Sequence, residues 1–151
     1  TEVLEPNTIT SVNCKGGSGM KIEFTPIGYV YTQAESIPRH WSVSEEKGSI
    51  VIDEKYQSGI RDIKQGEEIV VIFCFDKSPK FSSSYLIQNP PHKNKSYGVF
   101  SICSPKRPNP IGMSVLRVLG VEENTIHVYG VDMMDKTPVL DIKPFISYQQ
   151  G

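Results

Sequence analysis

The amino-acid sequence predicts a mainly β fold: a single closed or nearly closed barrel domain with one short helix and long loops. Three observations predict it. Seven short runs rich in Val, Ile, Tyr and Phe are bounded by Gly, Pro, Asn and Asp. One segment alone carries a helical period. No strand is followed by a G-x-G-x-x-G turn and a helix, and there is no Walker loop, so alternating βαβ units and the usual nucleotide cradles are missing.

Taken in order, Gly16-Gly17-Ser18-Gly19 has a flexible linker composition and Met20 follows it directly. Residues 1–19 are therefore read as an added leader or flexible tail, and 20–151 as the barrel domain. The strand-like runs are Glu23–Tyr31, Ser49–Ile52, Glu68–Phe75, Tyr97–Ile102, Met113–Val121, Thr125–Val131 and Pro138–Ile142. Glu122-Glu123-Asn124 reads as a three-residue hairpin loop between the fifth and sixth. The helix candidate starts at Asp53, a capping residue, with Tyr56, Ile60 and Ile63 on one face. Gly59 limits it to a turn or two. From Asp76 to Ser96 there is a long loop without regular structure, and loops of that length in compact domains are usually functional or disordered.

At 151 residues, with 38% apolar and 22% charged side chains, the chain has the composition of one soluble globular domain. No apolar run reaches the roughly 20 residues that span a bilayer, and no secretory signal opens the chain. Cys14, Cys74 and Cys103 are odd in number and form no C-x-x-C pair; His40, His92 and His127 share no ligand spacing. Reduced thiols, a cytoplasmic location, no metal and no membrane contact are the expectation. Net charge is −1, yet its distribution is uneven. No carboxylate lies between Asp76 and Glu122, where Lys77, Lys80, Lys93, Lys95, Lys106, Arg107 and Arg117 all fall. A basic middle on a near-neutral chain points to a local anion-binding surface. Phe81 and Tyr85 in the same stretch suit the stacking of an unpaired base.

The segment Ser104-Pro105-Lys106-Arg107-Pro108-Asn109-Pro110-Ile111-Gly112 is the most constrained of the chain. Three prolines fix φ near −65° and push the residues before them toward extended geometry. The expected result is a stiff loop presenting one guanidinium and one carboxamide, ending at Gly112, a position expected to disfavour a β-carbon. From spacing alone it is either a ligand clamp or a connector, the latter including a Pro-x-x-Pro ligand for another protein.

Gly98-Val99-Phe100-Ser101, the 104–112 segment and Asp135-Lys-Thr-Pro-Val-Leu-Asp-Ile-Lys-Pro-Phe145 together closely resemble the TrmO (YaeB/TsaA-like) family. Ile27-Gly28-Tyr29-Val30, Pro38-Arg39-His40, Tyr56-Gln57-Ser58-Gly59-Ile60 and Phe75-Asp76-Lys77-Ser78 are similar to shorter family patterns, so the resemblance runs from Ile27 to Phe145. It implies a β-barrel dimer that uses S-adenosylmethionine to methylate N6 of threonylcarbamoyl-adenosine beside the tRNA anticodon. The sequence departs from the family pattern twice: Ile102-Cys103 replaces Thr-Arg, and Asp135-Lys136 replaces Asp-Gly.

By the resemblance, the cofactor is expected to touch Arg39, His40, Trp41, Phe75, Asp76, Cys103, Arg107, Pro108, Met113 and Asp132. Arg39 or Arg107 suits a carboxylate through a bidentate fork, and Asp132 a ribose diol or ammonium. His40 and Trp41 are candidates to flank the cofactor. Asn109 and Asp135 are the catalytic candidates, orienting the acceptor nitrogen. Lys93, Lys95 and Lys143 are expected to meet tRNA. Asp141 and Lys143, two apart on a strand, point to one face and suit a structural ion pair. Two alternatives stay open: the same barrel methylating another RNA or a small molecule, and a non-catalytic barrel that binds RNA or a protein partner.

Overall fold

The computed structural model of the chain describes residues 12–14 and 21–147. Its strands are β1 (Val12–Cys14), β2 (Ile22–Phe24), β3 (Gly28–Tyr31), β4 (Lys47–Ile52), β5 (Glu68–Cys74), β6 (Ile87–Gln88), β7 (Tyr97–Gly98), β8 (Ile111–Glu122), β9 (Thr125–Tyr129) and β10 (Pro138–Pro144). Six of them close into an antiparallel barrel in the order β10-β3-β4-β9-β8-β5. Closure leaves no unpaired strand edge in that sheet. β1 pairs with β2, and β6 with β7, as separate two-stranded ribbons.

The barrel is filled from alternate positions of each strand. Val30, Ile50, Ile52, Ile69, Val71, Phe73, Leu116, Val118, Ile126, Val128 and Val139 are buried and form one cluster with Val131 and Met133. Branched side chains predominate, as a narrow barrel interior requires. Along β8 the row Gly112, Ser114, Leu116, Val118 is buried while Met113 and Arg117 are exposed. Ser114 is the one polar side chain in that row.

Most boundaries follow the sequence, and the departures have identifiable causes. The run Glu23–Tyr31 is two strands. Pro26 has no N–H to give to a ladder, so β2 leaves to pair with β1, while Ile27 N donates to Val139 O at 2.8 Å and starts the barrel. Three residues of the segment set aside as a leader thus take regular structure; the rest of 1–19 lies outside the described residues. The run Tyr97–Ile102 becomes β7 followed by a 3-10 turn, Val99–Ser101. The hairpin loop is a two-residue turn, since Glu122 pairs with Thr125 and Glu123 takes φ +52°. Asn124 docks that turn on β4, donating from Nδ2 to Ile52 O and accepting from Ile52 N.

The short helix expected after Asp53 is a seven-residue 3-10 helix, Glu54–Ile60, the longest of four 3-10 segments among the described residues, capped by the Asp53 side chain on Lys55 N. Ile60 is buried while Tyr56 is exposed. The 76–96 stretch is not structureless: it holds a 3-10 turn at Ser83–Leu86 and, with β6 and β7, forms an arm outside the barrel. Asp141 and Lys143 form the expected ion pair at 2.8 Å. Among the described residues no helix is long and apolar enough to cross a membrane, and no group of three metal-ligating side chains comes together.

Candidate functional site

At the barrel end where β5 finishes and β8 begins, four chain segments surround a cavity of about 590 Å³. Its floor is aromatic. Phe73 is the last inward ring of β5, and Phe75 meets it edge-on with centroids 4.9 Å apart. Gly112 lies opposite Phe73 in the ladder. A β-carbon there would fall on the Phe73 ring and within 2.8 Å of Phe75 Cζ, so the proline loop ends in glycine because the floor occupies the space.

The proline loop forms one wall through Ile102, Cys103, Pro105 and Arg107. Phe75 N donates to Pro110 O at 2.7 Å, extending the β5–β8 ladder into the loop. Arg107 folds back on its own segment, with Nη1 donating to Ile102 O at 3.0 Å and Ser104 O at 3.2 Å. One nitrogen of its fork therefore stiffens the wall rather than waiting for a ligand. The arm is fastened to the same loop. Gln88 Nε2 donates to Tyr85 O and to Lys106 O, and Ser78 Oγ donates to Pro105 O.

Pro38–Trp41 forms a second wall, with the His40 and Trp41 rings 4.8 Å apart. His40 Nδ1 is held by Ser42 through its hydroxyl at 2.7 Å and its N–H at 3.3 Å. Asp132, Met133, Met134 and Thr137 make the third, in the crossover from β9 to β10. Asp135 and Lys136 shape that crossover: Asp135 Oδ1 accepts from Thr32 N at 3.0 Å, and Lys136 N donates to Val30 O at 2.7 Å. Lys136 sits at φ +67°, so lysine adopts the left-handed conformation in which glycine is preferred.

Two carboxylates face this mostly apolar space. Burial pushes the Asp132 carboxyl above its ordinary range; the Ser114 hydroxyl, His40 and the N–H groups of Asp132 and Trp41 pull the other way. Burial also raises Asp76, against the Lys77 ammonium and two main-chain N–H groups. The Tyr29 phenol is raised by burial, then by Tyr31 and Asp76. Lys77 Nζ donates to Asp135 O at 3.3 Å and so ties the β5 end to the third wall.

The residues singled out in the sequence divide clearly. Arg39, His40, Trp41, Phe75, Asp76, Cys103, Arg107, Met113 and Asp132 line the cavity, whereas Pro108 does not. Asn109 is exposed in the proline loop and Asp135 is half-buried behind the third wall; neither lines the cavity. Lys93 and Lys95 lie on the arm, their ammonium groups 4.8 and 5.5 Å from the Tyr97 ring. Lys143 is on β10 with Asp141. Sequence reasoning did not single out Met133, Met134 or Thr137, since nothing in a crossover loop signals which side chains turn inward. Ser114 was also missed, although a serine in an apolar alternating row is a visible signal. A second, open concavity of about 650 Å³ beside the Glu123-Asn124 turn carries none of the predicted residues.

Comparison with known proteins bears directly on this site. The family model for the tRNA-methyltransferase O N-terminal domain matches residues 27–150. A "Probable S-adenosyl-L-methionine-binding protein" of Archaeoglobus fulgidus is 32% identical over 131 residues, covering 85% of this chain and 35% of that protein. A human "tRNA (adenine(37)-N6)-methyltransferase" is 32% identical over 130 residues, covering 81% of this chain and 30% of that protein. The crystal structure of TrmO from Pseudomonas aeruginosa superposes with a TM-score of 0.67 at 28% identity, covering 84% of this chain and 57% of that one. This chain thus spans about a third of the length of either curated relative. The matched region begins at β3 and takes in the whole barrel, the arm and every wall of the cavity. On barrel, loop and sequence alike, the chain belongs to the tRNA-methyltransferase O N-terminal domain family.

Proposed function

We propose that this chain is a cytoplasmic S-adenosylmethionine-dependent methyltransferase that acts, as a homodimer, on N6 of threonylcarbamoyl-adenosine beside the tRNA anticodon. The observation that carries this reading is the cavity, which gathers nine of the ten residues the sequence assigns to the cofactor. Its volume lies within the range of small-molecule sites, and its character fits. The aromatic and methionine lining suits the purine and the apolar methylene chain. Asp132 and Asp76 complement positive charge, and exposed Arg39 at the rim suits a carboxylate.

Bound there, the cofactor supplies an activated methyl group on a positively charged sulfur. The chain's own residues do the remaining work. Phe73, Phe75 and Met133 keep water from the floor. Arg107 holds the proline loop ready, which lowers the ordering cost of binding. Asn109 stands exposed between two lining residues, Arg107 and Gly112, and orients the acceptor nitrogen from the rim; Asp135 fixes the adjacent crossover. Alignment of that nitrogen is the chain's main contribution to rate.

Lys93 and Lys95 beside Tyr97 on the arm, and Lys106 of the proline loop over the arm's Tyr85, place cations next to stacking faces, the combination that grips single-stranded RNA. Lys143 adds a further contact. The name of the human relative, an adenine-37 N6-methyltransferase of tRNA, supports the same acceptor. Exposed Ile87 on the arm and Phe100 in the turn that follows it support self-association. One feature favours a second reading, a different acceptor on the same barrel: Cys103 lies in the cavity wall where the family pattern has arginine.

The test is transfer of labelled methyl from S-adenosylmethionine to tRNA with and without threonylcarbamoyl-adenosine. Label on the modified tRNA alone is the expected result. Equal labelling of both, or of neither while the cofactor still binds, sinks the acceptor assignment. Absence of cofactor binding sinks the methyltransferase reading itself.

A further inference from the structure

Ser114 is wholly buried in the inward row of β8, where its neighbours are Gly112, Leu116 and Val118. A hydroxyl in an apolar barrel is costly unless it is hydrogen-bonded. Here the bond goes outward from the core to the cavity: Ser114 Oγ donates to Asp132 Oδ1 at 2.6 Å, the short distance of a charge-assisted bond. Asp132 lies in the crossover, beyond β9, and its preceding carbonyl is fixed as well, since Ser44 Oγ donates to Val131 O at 2.6 Å. The buried face of β8 thus reaches a side chain of the cavity wall through one hydroxyl.

We infer that Ser114 is a positioning residue for ligand recognition: its hydroxyl holds Asp132 as an oriented anion that meets the positive charge of the methyl donor. The inference rests on the proposed cofactor and deepens it. The geometry explains a serine that packing alone does not. An apolar residue in that row would fill the barrel equally well and leave Asp132 without its strongest donor. The other groups sharing the space are Arg39 and His40 from one wall, Asp76 and Lys77 from the β5 end, and Arg107 from the proline loop. Among the described side chains around Asp132, Ser114 is the one that hydrogen-bonds its carboxylate.

Four measurements on Ser114→Ala, Asp132→Asn and the double variant test this. In Ser114→Ala the far-ultraviolet spectrum stays unchanged, while affinity for S-adenosylmethionine at neutral pH falls about ten-fold, as expected for one lost hydrogen bond to a charged group. The acid-side loss of binding moves to higher pH, because the anion has lost a stabilising donor. In the Asp132→Asn background, Ser114→Ala produces no further loss of affinity. A full additional loss in the double variant, or an unmoved pH profile in Ser114→Ala, overturns the inference. If Ser114→Ala does not fold, Ser114→Cys, which keeps volume and a weak donor, takes its place with the same outcomes. The fourth measurement needs no cofactor. The Asp132 carboxyl, followed by carbon-13 resonance, titrates at higher pH in Ser114→Ala than in the parent protein. A titration shift in Ser114→Ala combined with no binding of S-adenosylmethionine by the parent overturns the assignment to the methyl donor while leaving Asp132 held by Ser114; an identical titration in both proteins rejects the positioning role itself.

Discussion

Phe73 and Gly112 face each other across the β5–β8 ladder, and the Phe73 ring fills the volume that a side chain at 112 would take. The floor of the cavity and the end of the proline loop are therefore one packing decision. Gly112→Ala is expected to displace both phenylalanine rings and lower stability by about 1–3 kcal/mol, the usual cost of overpacking. Urea denaturation measures the loss, and calorimetry with S-adenosylmethionine should show binding reduced with it. A stable Gly112→Ala that binds normally would mean that the floor can relax.

Arg107 serves its own loop before it serves any ligand, through two carbonyls that a single nitrogen reaches. Lysine, with a compact ammonium in place of the planar fork, does not reproduce that pair of bonds. Arg107→Lys should lower the midpoint of thermal unfolding and weaken cofactor binding with it, because the lost bonds order the wall before a ligand arrives. The affinity is read by calorimetry.

Lys136 holds φ +67° in the crossover, a conformation costly to any residue with a β-carbon. Lys136→Gly is expected to raise stability by about 1 kcal/mol, since relief of that strain outweighs the added chain entropy of glycine. The denaturation midpoint should rise with an unchanged slope. A fall would show that the lysine side chain contributes contacts worth more than the strain.

Asp132 gives a pH dependence whose sign follows from burial. Its carboxyl titrates above the ordinary range, so the folded state binds the proton more tightly than the unfolded chain does. The stability linked to this group is fully present below the unfolded carboxylate range and is lost as pH rises through the raised value. Asp132→Asn should consequently be more stable than the parent at neutral pH, with the difference shrinking as pH falls through the raised value and gone below the unfolded carboxylate range, about pH 4. Thermal unfolding between acid and neutral pH tests it. The accompanying loss of cofactor binding would mark a residue kept for function at a cost to the fold.

Lys93 and Lys95 stand beside Tyr97 on the arm and are exposed. Replacing both with alanine should weaken tRNA binding and flatten its dependence on salt by about 0.7 per lost phosphate contact. Filter binding at several ionic strengths is the measurement. An unchanged slope removes the arm from the RNA surface.

The barrel was legible in the sequence because its signals are local and repeated: β-branched alternation, bounding prolines and glycines, and no competing helical period. The arm was not. β6 and β7 are two residues each, too short for alternation to register, and they are fixed by Gln88 reaching the distant Lys106 carbonyl. The split at Pro26 was readable from the missing N–H alone. The site was legible where it rests on the proline loop and its Gly112, and where side chains follow a strand out of the barrel, as at Phe75 and Asp76. It was obscure in the β9–β10 crossover. Asp135 looked free to orient an acceptor, yet its Oδ1 is taken by Thr32 N, a partner far away in sequence. Polar side chains in loops reveal their partners only once the strands beneath them are placed.

β10, last of the barrel strands in the chain, completes the ring by pairing with β3 on one side and β5 on the other, Pro138 lying opposite Tyr29. During synthesis the sheet therefore stays open until the end of the domain has left the ribosome. Before that, β3 and β5 each display an unpaired edge of apolar sequence. Closure must then bring together segments far apart along the chain, which makes it slow. The interval before β10 arrives is when the nascent protein is most exposed to mispairing with its neighbours and most dependent on chaperones.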